Sequence, residues 1–442
     1  MSARVRTLAG RGLALLALAN AVVVVSLWLA SGGPSDVHDL AGALTSAGRV
    51  AGLLGAYLVL VELLLLARIP LLERLYGFER LAVAHRINGR LALSLLLAHA
   101  ALVTAGYTVG DEISLLDELD RLITGYPGVI TAIAGLTLLV AVVVTSAVAV
   151  RRRLRYETWH FLHLYAYLGV ALAFSHQLAT GTDFLARPVA RAYWTALYVV
   201  TLGALVVFRI LLPLARSLLV HRLRVERVIE EAPGVVSLEI GGERLHRLRA
   251  QAGQFFTWRF LTRDHWWEAH PFSLSAAPDG RRLRITVKGL GDYTASLAAI
   301  PPGTRVIAEG PFGSFTAAAR RRPRVALIAG GVGITPIRAL LEDMPGGPED
   351  ITVVYRALHD DDVILRSELD ELAGRRGVDV HYLVGDHDAE PLSPERLRAL
   401  MPDIATRDVY VCGPPAMVDA TRATLGRSGV SRRHIVTERF AY

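Results

Sequence analysis

The chain has 442 residues, of which 52% are apolar and 20% charged, and its mean hydropathy is +0.38. So high an apolar fraction excludes intrinsic disorder and is typical of a protein with membrane-spanning segments. The net charge is +7, and arginine supplies nearly all of the cations, since Lys288 is the single lysine. Because Cys412 is the single cysteine, an internal disulfide, a cysteine-ligated iron–sulfur cluster and a cysteine-based zinc site are excluded.

Six apolar runs in the first half are each long enough to cross a hydrocarbon core of ~30 Å as a helix. They lie at 13–30, 43–66, 85–109, 127–150, 157–178 and 193–215. Arginines are concentrated in every second loop and acidic residues in the others, so the positive-inside rule places both termini in the cytoplasm. The first run could instead be a signal peptide, which would still leave the C-terminal half cytoplasmic.

The pattern changes after residue 217, where no apolar run is long enough to cross a membrane. Short β-branched runs between Gly and Pro turns predict a small antiparallel barrel. From residue 324, strands alternate with helical stretches, which indicates a parallel sheet with a nucleotide site at its carboxyl edge. We therefore expect a six-helix transmembrane bundle at 1–217, an antiparallel β-barrel at 218–323 and an α/β parallel-sheet domain at 324–442.

Four histidines lie inside the predicted spans, where ionisable side chains are costly and usually functional. Span three contains His85 and His99, and span five, which runs in the same direction, contains His163 and His176. The separations of 14 and 13 residues correspond to ~21 and ~20 Å of helix, so the histidines of the two spans match in height. Each pair can ligate the two faces of a haem, with His85 and His163 at an inner haem and His99 and His176 at an outer one.

Alternatives to this arrangement remain open. His163 and His176 are thirteen residues apart, and at ~100° per residue they lie about 140° apart around the helix axis. Span five therefore contains a π-bulge, or its ligands reach sideways. His160 is a second candidate for the inner pair, but it fits the height less well than His163. A zinc site or a proton relay is also possible. Relays usually bring carboxylates into the spans, however, and Glu62 could simply pair with Arg49 or Arg68.

Two segments of the predicted barrel have the chemistry of a flavin site. In HPFSLSAAP, which begins at His270, an aromatic residue beside a proline forms a rigid apolar wall for an isoalloxazine ring, and a serine offers a hydroxyl. In KGLGDYT, a lysine and a glycine-rich turn can contact a pyrophosphate, together with the histidine of the first segment. The candidate FAD contacts are His270, Pro271, Phe272, Ser273, Lys288, Gly291 and Thr294.

The segment LIAGGVGITPIRALL combines a strand, a glycine turn and the start of a helix. The glycines let backbone N–H groups approach a pyrophosphate at the helix N-terminus, a threonine can cap that helix, and a proline suits its first turn. The pattern departs from G-x-G-x-x-G because Pro336 replaces the third glycine. The candidate dinucleotide contacts are Gly330, Gly331, Gly333, Thr335 and Pro336.

These motifs, with HRINGRLALSLLLAHA and WHFLHLYAYLGVALAFSHQ around the paired histidines, resemble the NADPH oxidase/ferric reductase family. In that family a ferric-reductase-like transmembrane domain is fused to a ferredoxin–NADP reductase-type FAD and NAD(P) module. The resemblance covers nearly the whole chain and favours His163 as the inner ligand. It also implies that an aromatic residue stacks on the flavin, Phe440 or alternatively Tyr442, and that Cys412, Gly413 and Pro414 form a loop near the nicotinamide. Phe440 and Cys412 are the implied catalytic residues, and Gly413 and Pro414 are implied to bind the cofactor.

The resemblance implies an NAD(P)H oxidase or ferric reductase-type oxidoreductase. Electrons from cytoplasmic NADPH or NADH would pass through FAD and two haems b to oxygen, giving superoxide, or to ferric iron on the far side. Arg356 could contact the 2′-phosphate of NADPH or be a solvated charge at a strand end. The expected partners are membrane lipid and a small-molecule acceptor, with no indication of nucleic acid or of an obligatory protein partner.

Three other functions are considered. The chain could be a membrane subunit that delivers electrons to an extracytoplasmic protein or a quinone. It could be a six-helix transporter with a soluble regulatory domain, which would explain neither the histidine pairs nor the flavin motif. It could also be a membrane-anchored flavin reductase, which would not need four histidines within its spans.

Overall fold

The computed structural model describes residues 3–147, 150, 154, 156–185, 187–385 and 392–440. The chain forms two compact units, Met1–Ile210 and Leu211–Tyr442. This division falls short of residue 217, because the last part of the helical region belongs to the second unit. There, Ser217 Oγ accepts a hydrogen bond from the backbone N–H of Ala308 at 3.0 Å and donates one to its carbonyl oxygen at 3.3 Å.

The first unit is helical. Its helices are α1 (Ala3–Ala30), α2 (Leu40–Leu65), α3 (Pro70–Tyr76), α4 (Phe78–Asp111), α5 (Leu115–Gly125), α6 (Val129–Ser146), α7 (Tyr156–Ala179), α8 (Thr182–Leu185) and α9 (Pro188–Leu205). Beyond α9 the chain continues through a π-helix (Val206–Leu211), the short helix α10 (Leu212–Leu214) and a second π-helix (Ala215–Val220). Sequence patterns predicted an acidic loop where α5 forms.

Within the described residues, five helices are long and apolar enough to cross a membrane. They are Leu8–Ala30, Leu40–Leu65, Arg80–Asp111, Val129–Ser146 and Pro188–Val220. The predicted span at 157–178 forms α7, whose 24 residues would extend ~36 Å, but it is not among these five because its composition is less apolar. The count of six spans therefore stays a prediction.

Two helix pairs hold the helices that carry the histidines. Helix α4 packs along α2, and α7 packs along α6. Glycines allow both close approaches, since a Cβ on Gly55 would lie 2.9 Å from the side chain of Leu96, and one on Gly135 would lie 2.6 Å from the carbonyl oxygen of Gly169. Small residues at a crossing let helix backbones come together within a membrane. The positions of α4 and α7 are thus fixed by backbone packing.

The second unit begins with two three-stranded antiparallel sheets. Their strands are β1 (Arg224–Ala232), β2 (Val235–Gly241), β3 (Phe255–Phe260), β4 (His270–Ser273), β5 (Arg282–Lys288) and β6 (Val306–Phe312), and the short helix α11 (Asp292–Ser296) follows β5. The orders are β1-β2-β5 and β4-β3-β6, and an isolated bridge joins Leu274 to Ile285. The sheets share an apolar core in which Trp258 and Leu238 are fully buried. A closed barrel remains a prediction.

The rest of the second unit is a five-stranded parallel sheet, which confirms the predicted α/β pattern. Strands β7 (Val325–Gly330), β8 (Ile351–Ala357), β9 (Asp379–Val384), β10 (Asp408–Gly413) and β11 (Ile435–Arg439) have the order β11-β10-β7-β8-β9. The helices are α12 (Ile334–Asp343), α13 (Arg366–Arg376), α14 (Pro394–Leu400) and α15 (Pro415–Arg427). Because β7 and β10 are neighbours, their carboxyl ends bring the glycine turn and the Cys-Gly-Pro loop together.

Candidate redox-cofactor sites

The structure brings the four membrane histidines together as two pairs. The ring centroids of His85 and His163 are 6.0 Å apart, and those of His99 and His176 are 6.5 Å apart. Two imidazoles bonded to opposite faces of one iron, with metal–nitrogen bonds of ~2 Å, hold their centroids about 6 Å apart. The spacing of both pairs therefore fits bis-histidine ligation of haem, and the assignment of these residues as ligands stays a prediction.

The Nδ1 atom of each histidine lies close to an oxygen atom. These oxygens are Glu62 Oε1 for His85 (2.6 Å), Gly48 O for His99 (2.9 Å), Ser146 Oγ for His163 (3.2 Å) and Thr180 Oγ1 for His176 (2.8 Å). Histidines that ligate a metal through one ring nitrogen commonly bond to an oxygen through the other, which fixes the tautomer and the ring orientation. With Nδ1 directed to these oxygen atoms, Nε2 would be the ring nitrogen available to a metal in all four histidines.

Helix α7 is α-helical from Tyr156 to Ala179, so the π-bulge considered for span five is wrong. Its two histidines nevertheless lie beside their partners on α4, with ring centroids 6.0 and 6.5 Å apart. His160 is exposed, and it is the ring of His163 that lies beside His85. The expected ion pairs of Glu62 are wrong as well, because Arg49 pairs with Asp183 and Arg68 pairs with Glu73, which leaves Glu62 on the inner histidine.

The predicted flavin segment forms β4, beside α11. The ring of His270 stacks on Tyr293 with centroids 3.8 Å apart, and its Nε2 lies 3.1 Å from Glu268 Oε2. Ser273 is buried, Phe272 is half-buried and Pro271 is exposed. The Tyr293 hydroxyl is buried and has no hydrogen-bond partner among the residues that the structure describes, and burial raises the pKa of Tyr293. Sequence reasoning missed this tyrosine, although it lies inside the KGLGDYT motif.

The turn after β5 is held by Thr294. Its Oγ1 accepts hydrogen bonds from the N–H groups of Leu290 (2.9 Å) and Gly291 (3.1 Å). Thr294 also lines a cavity of about 430 Å³ beside β1 and β2. Lys288 Nζ lies 2.6 Å from Asp362 Oδ1, and this hydrogen bond lowers the pKa of Asp362. The single lysine therefore bridges to the parallel-sheet part, and a pyrophosphate contact would require it to exchange partners.

The glycines of the dinucleotide turn allow two loops to touch. A Cβ on Gly333 would overlap the carbonyl oxygen of Cys412, and one on Gly330 would overlap Met417 Sδ. Gly331 has a φ of +52°, in the left-handed region that favours glycine. A side chain at Gly333 would therefore displace the backbone at Cys412, one at Gly330 would displace the Met417 side chain, and one at Gly331 would be strained by the backbone conformation.

The expected capping role of Thr335 is wrong. Helix α12 begins at Ile334 without a side-chain cap, and the Thr335 hydroxyl donates a hydrogen bond to the carbonyl oxygen of Val332 at 3.0 Å. Thr335 therefore sits within the first helical turn, as does Pro336, and both are buried. The hydroxyl ties the glycine turn to the helix and accepts no N–H of that helix.

Cys412 is completely buried at the end of β10, and burial raises the pKa of its thiol. The thiol is therefore neutral. If it lies near the nicotinamide, as expected, its role there would be to pack against neighbouring groups. The backbone N–H of Phe440 donates a hydrogen bond to the carbonyl oxygen of Gly413 at 3.2 Å, which places Phe440 beside the Cys-Gly-Pro loop. Pro414 is exposed at the same loop, and Tyr442 lies outside the described residues.

Arg356 is not a solvated charge at a strand end, because only 8% of the residue is exposed. Its guanidinium donates hydrogen bonds to the carbonyl oxygens of Ala357, Leu383 (3.3 Å) and Gly385 (2.5 Å). The buried guanidinium at the end of β8 thus ties down the end of β9 and the first residue of the loop that follows it. A contact with a 2′-phosphate stays a prediction.

An ionic network joins the antiparallel sheets to the parallel sheet, and no sequence pattern signalled it. Arg284 makes two hydrogen bonds to the carboxylate of Glu368, at 2.7 and 2.8 Å, and Arg338 Nε lies 2.8 Å from the same carboxylate. Burial acts to raise the pKa of Glu368, but the hydrogen bond and charge of Arg284 and the charge of Arg338 lower it overall. Both arginines also donate to the carbonyl oxygen of Ser275.

Three protein families match successive parts of the chain. Residues 51–174 match a ferric reductase like transmembrane component, residues 234–316 an FAD-binding domain, and residues 327–423 an oxidoreductase NAD-binding domain. The first region contains His85, His99 and His163, and His176 lies two residues beyond its end. The second contains the HPFSLSAAP and KGLGDYT segments, and the third contains the glycine turn and the Cys-Gly-Pro loop.

Similar curated proteins each match part of the chain. The toluate 1,2-dioxygenase electron transfer component of Pseudomonas putida is 27% identical over 238 residues, which are 50% of this chain and 68% of that protein. NADH-cytochrome b5 reductase 1 of Cryptococcus neoformans is 26% identical over 158 residues, 31% of this chain and 54% of that protein. The match thus spans about half the length of the second relative.

Among solved structures, the flavohem-like FAD/NAD binding domain of nitric oxide dioxygenase from Vibrio cholerae covers half of the chain. Its TM-score is 0.42 and its identity 24%, and the match spans 50% of this chain and 98% of that one.

Proposed function

We propose that this chain, whose successive regions match a ferric reductase like transmembrane component, an FAD-binding domain and an NAD-binding domain, is a multi-pass membrane oxidoreductase that conducts electrons across the membrane. Cytoplasmic NADPH or NADH would be the donor. FAD would bind to the antiparallel sheets, and one haem b would bind at each histidine pair. The observation that best supports this proposal is the spacing of the two histidine pairs. Their ring centroids are 6.0 and 6.5 Å apart, at two heights of the same two helices, α4 and α7.

The cofactors supply the redox chemistry, which is hydride acceptance by a flavin and one-electron exchange by haem iron. The residues of the chain bind and orient them. The buried Ser273 and the Thr294 turn would hold the flavin, and the backbone N–H groups after β7 would hold the dinucleotide phosphates. The Nδ1 contacts would aim Nε2 of each histidine at iron.

The direction of transfer rests on the arrangement of charges along the sequence. Six spans, with α7 as the fifth, would return the chain to its starting side, and the arginine-rich loops would face the cytoplasm. His85 and His163 would then form the inner site, and His99 and His176 the outer one. The acceptor on the far side would be oxygen, giving superoxide, or a ferric chelate. Delivery to an extracytoplasmic protein or a quinone is the alternative.

Cofactor content tests the proposal. We expect the purified full chain to contain two haems b per FAD, with a b-type Soret band and flavin absorbance. His163→Ala and His176→Ala should each remove about one haem, whereas His160→Ala should keep both. A protein with flavin but without haem would contradict the proposal and leave a membrane-anchored flavin reductase.

The acceptor requires a second measurement. Membrane vesicles with the second unit exposed should oxidise NAD(P)H when cytochrome c, oxygen or ferric citrate is supplied as acceptor. Superoxide formation with oxygen alone would support an oxidase, and faster turnover with ferric citrate a ferric reductase. NAD(P)H oxidation that requires an added quinone or an extracytoplasmic protein would favour the alternative.

A further inference from the structure

One of the four paired histidines contacts a carboxylate. Glu62 Oε1 lies 2.6 Å from Nδ1 of His85, and both side chains are largely buried, with 18% and 20% of their surfaces exposed. The two residues come from different helices, Glu62 from α2 and His85 from α4. A carboxylate within a membrane helix is costly and is usually paired, so this contact accounts for its presence there.

Two further residues hold Glu62 in this position. Asn88 Nδ2 donates a hydrogen bond to Glu62 Oε2 at 2.7 Å and a second one to the carbonyl oxygen of Leu58 at 2.9 Å. Gly89 provides the space, because a Cβ there would lie 2.6 Å from Glu62 Oε1. One carboxylate oxygen is thus held by the amide, and the other is turned to His85.

The other three histidines have uncharged partners. His99 contacts a backbone carbonyl, and His163 and His176 contact hydroxyl groups. A hydroxyl or an amide carbonyl carries no net charge, whereas an ionised carboxylate does. The inner pair, His85 with His163, therefore differs from the outer pair by an acidic side chain next to a candidate ligand ring.

We propose that Glu62 is a positioning residue that makes the inner histidine pair the site of lower reduction potential. A carboxylate oxygen 2.6 Å from Nδ1 increases the basicity of the imidazole, and a more basic ligand favours the more positively charged, oxidised iron. The outer pair, with neutral partners, would then hold an electron more favourably. Transfer of one electron from the inner to the outer site, away from the cytoplasm, would then lower the free energy.

The inference rests on the proposed haem ligation, and the test separates the two. Haem content and the Soret band report whether the sites exist, while the midpoint potentials report what Glu62 does. In Glu62→Gln we expect two haems as in the wild type. The inner site should then shift toward the reduced form by at least tenfold, or ~59 mV for a one-electron couple. The potential of the outer site should not move.

Gly89→Ala displaces the same carboxylate without removing any charged group. The added methyl group should push Glu62 away from His85, so the inner potential should rise as it does in Glu62→Gln. Gly203→Ala is the matched control, because nothing lies within 4 Å of a Cβ at Gly203. Ser146→Ala, which removes the neutral partner of His163, should change the inner potential less than Glu62→Gln does.

Spectroscopy distinguishes an electronic effect from a loss of structure. A lower basicity of His85 should change the low-spin EPR signal of one haem in Glu62→Gln and leave the other signal unchanged. Two haems with wild-type potentials and wild-type EPR signals in that variant would overturn the inference. If no variant contains haem and the wild type contains none either, the proposed function fails.

A measurement that keeps Glu62 covers the case in which Glu62→Gln binds no haem. In His176→Ala, which removes an outer ligand, the remaining haem should be the lower-potential one of the two wild-type components. If the remaining haem has the higher potential, the inference is wrong, irrespective of how the Glu62 variants behave.

Discussion

Gly52 on α2 makes room for the ring of His99, and we predict that Gly52→Ala weakens the outer haem site selectively. A Cβ at this position would lie 2.6 Å from His99 Nδ1, 2.9 Å from its Cγ and 3.0 Å from its Cε1. The ring must retreat by roughly 0.8 Å to restore ordinary van der Waals separation, whereas metal–ligand distances vary by only ~0.2 Å. Retreat also strains the Nδ1 contact with Gly48 O at 2.9 Å.

Loss of such an oxygen partner typically costs a metal site ~10–100-fold in affinity, or about 1.4–2.7 kcal/mol. We therefore expect haem titration of the apoprotein to give one site of wild-type affinity and one weakened by this factor. Alanine is also the better helix former by about 1 kcal/mol, so the helix itself should not be destabilised. The weakened component should be the one that His176→Ala removes.

Gly203→Ala, at a membrane-helix position with open space around it, is the control and should bind both haems normally. Wild-type affinity at both sites in Gly52→Ala would refute the argument, because the ring of His99 would then not lie against α2. A loss confined to the inner site would contradict the assignment of His99 to the outer pair.

Three further predictions concern transfer, nicotinamide selection and stability. In His176→Ala, NAD(P)H should still reduce FAD and a soluble dye, while reduction of an acceptor trapped in inside-out vesicles should fall by orders of magnitude. Full flux would leave a membrane-anchored flavin reductase. In Phe440→Ala, the nicotinamide affinity and the NADH/NADPH discrimination should change. Unchanged kinetics there, with altered kinetics in Tyr442→Ala, would assign the stacking to Tyr442. Glu368→Gln should destabilise the second unit by ~1.5–3 kcal/mol at pH 7, because Arg284 loses one of its two hydrogen bonds to this side chain and the other no longer has a charged acceptor. Since folding lowers the pKa of Glu368, the difference from the wild type should disappear as the pH falls through that folded pKa. Heat-induced release of flavin at several pH values measures it, and an undiminished difference in acid would argue against the ion pair.

The candidate sites were partly accessible to sequence reasoning because some of their constraints are periodic. The spacing of His85 and His99, compared with that of His163 and His176, gave matching heights from the helical rise alone. The helical phase of α7 did not predict how its histidines reach α4, because side-chain direction depends on how two helices cross. The choice between His160 and His163 depended on a family resemblance for the same reason.

Partner choices among charged residues could not be obtained from the sequence. An ion pair between Glu62 and an arginine was considered, but Glu62 contacts His85. Lys288 was expected to contact a pyrophosphate, and it contacts Asp362. Arg356 was expected to be solvated or on a phosphate, and it bonds to backbone carbonyls. Each outcome is set by which elements pack together, since a long side chain pairs with whatever group the neighbouring element presents.

The sequence by itself determined the apolar segments, the heights of the four histidines, the βαβ alternation and the glycine turn. These features follow from local physics: the thickness of a hydrocarbon core, the rise of a helix, the two-residue period of a strand and the space that a missing Cβ leaves. The tertiary structure alone decided that α5 is a helix, that Tyr293 stacks on His270 and that the inner histidine pair carries a carboxylate. Those facts depend on groups that packing brings together from distant parts of the chain, and local periodicity does not encode such contacts.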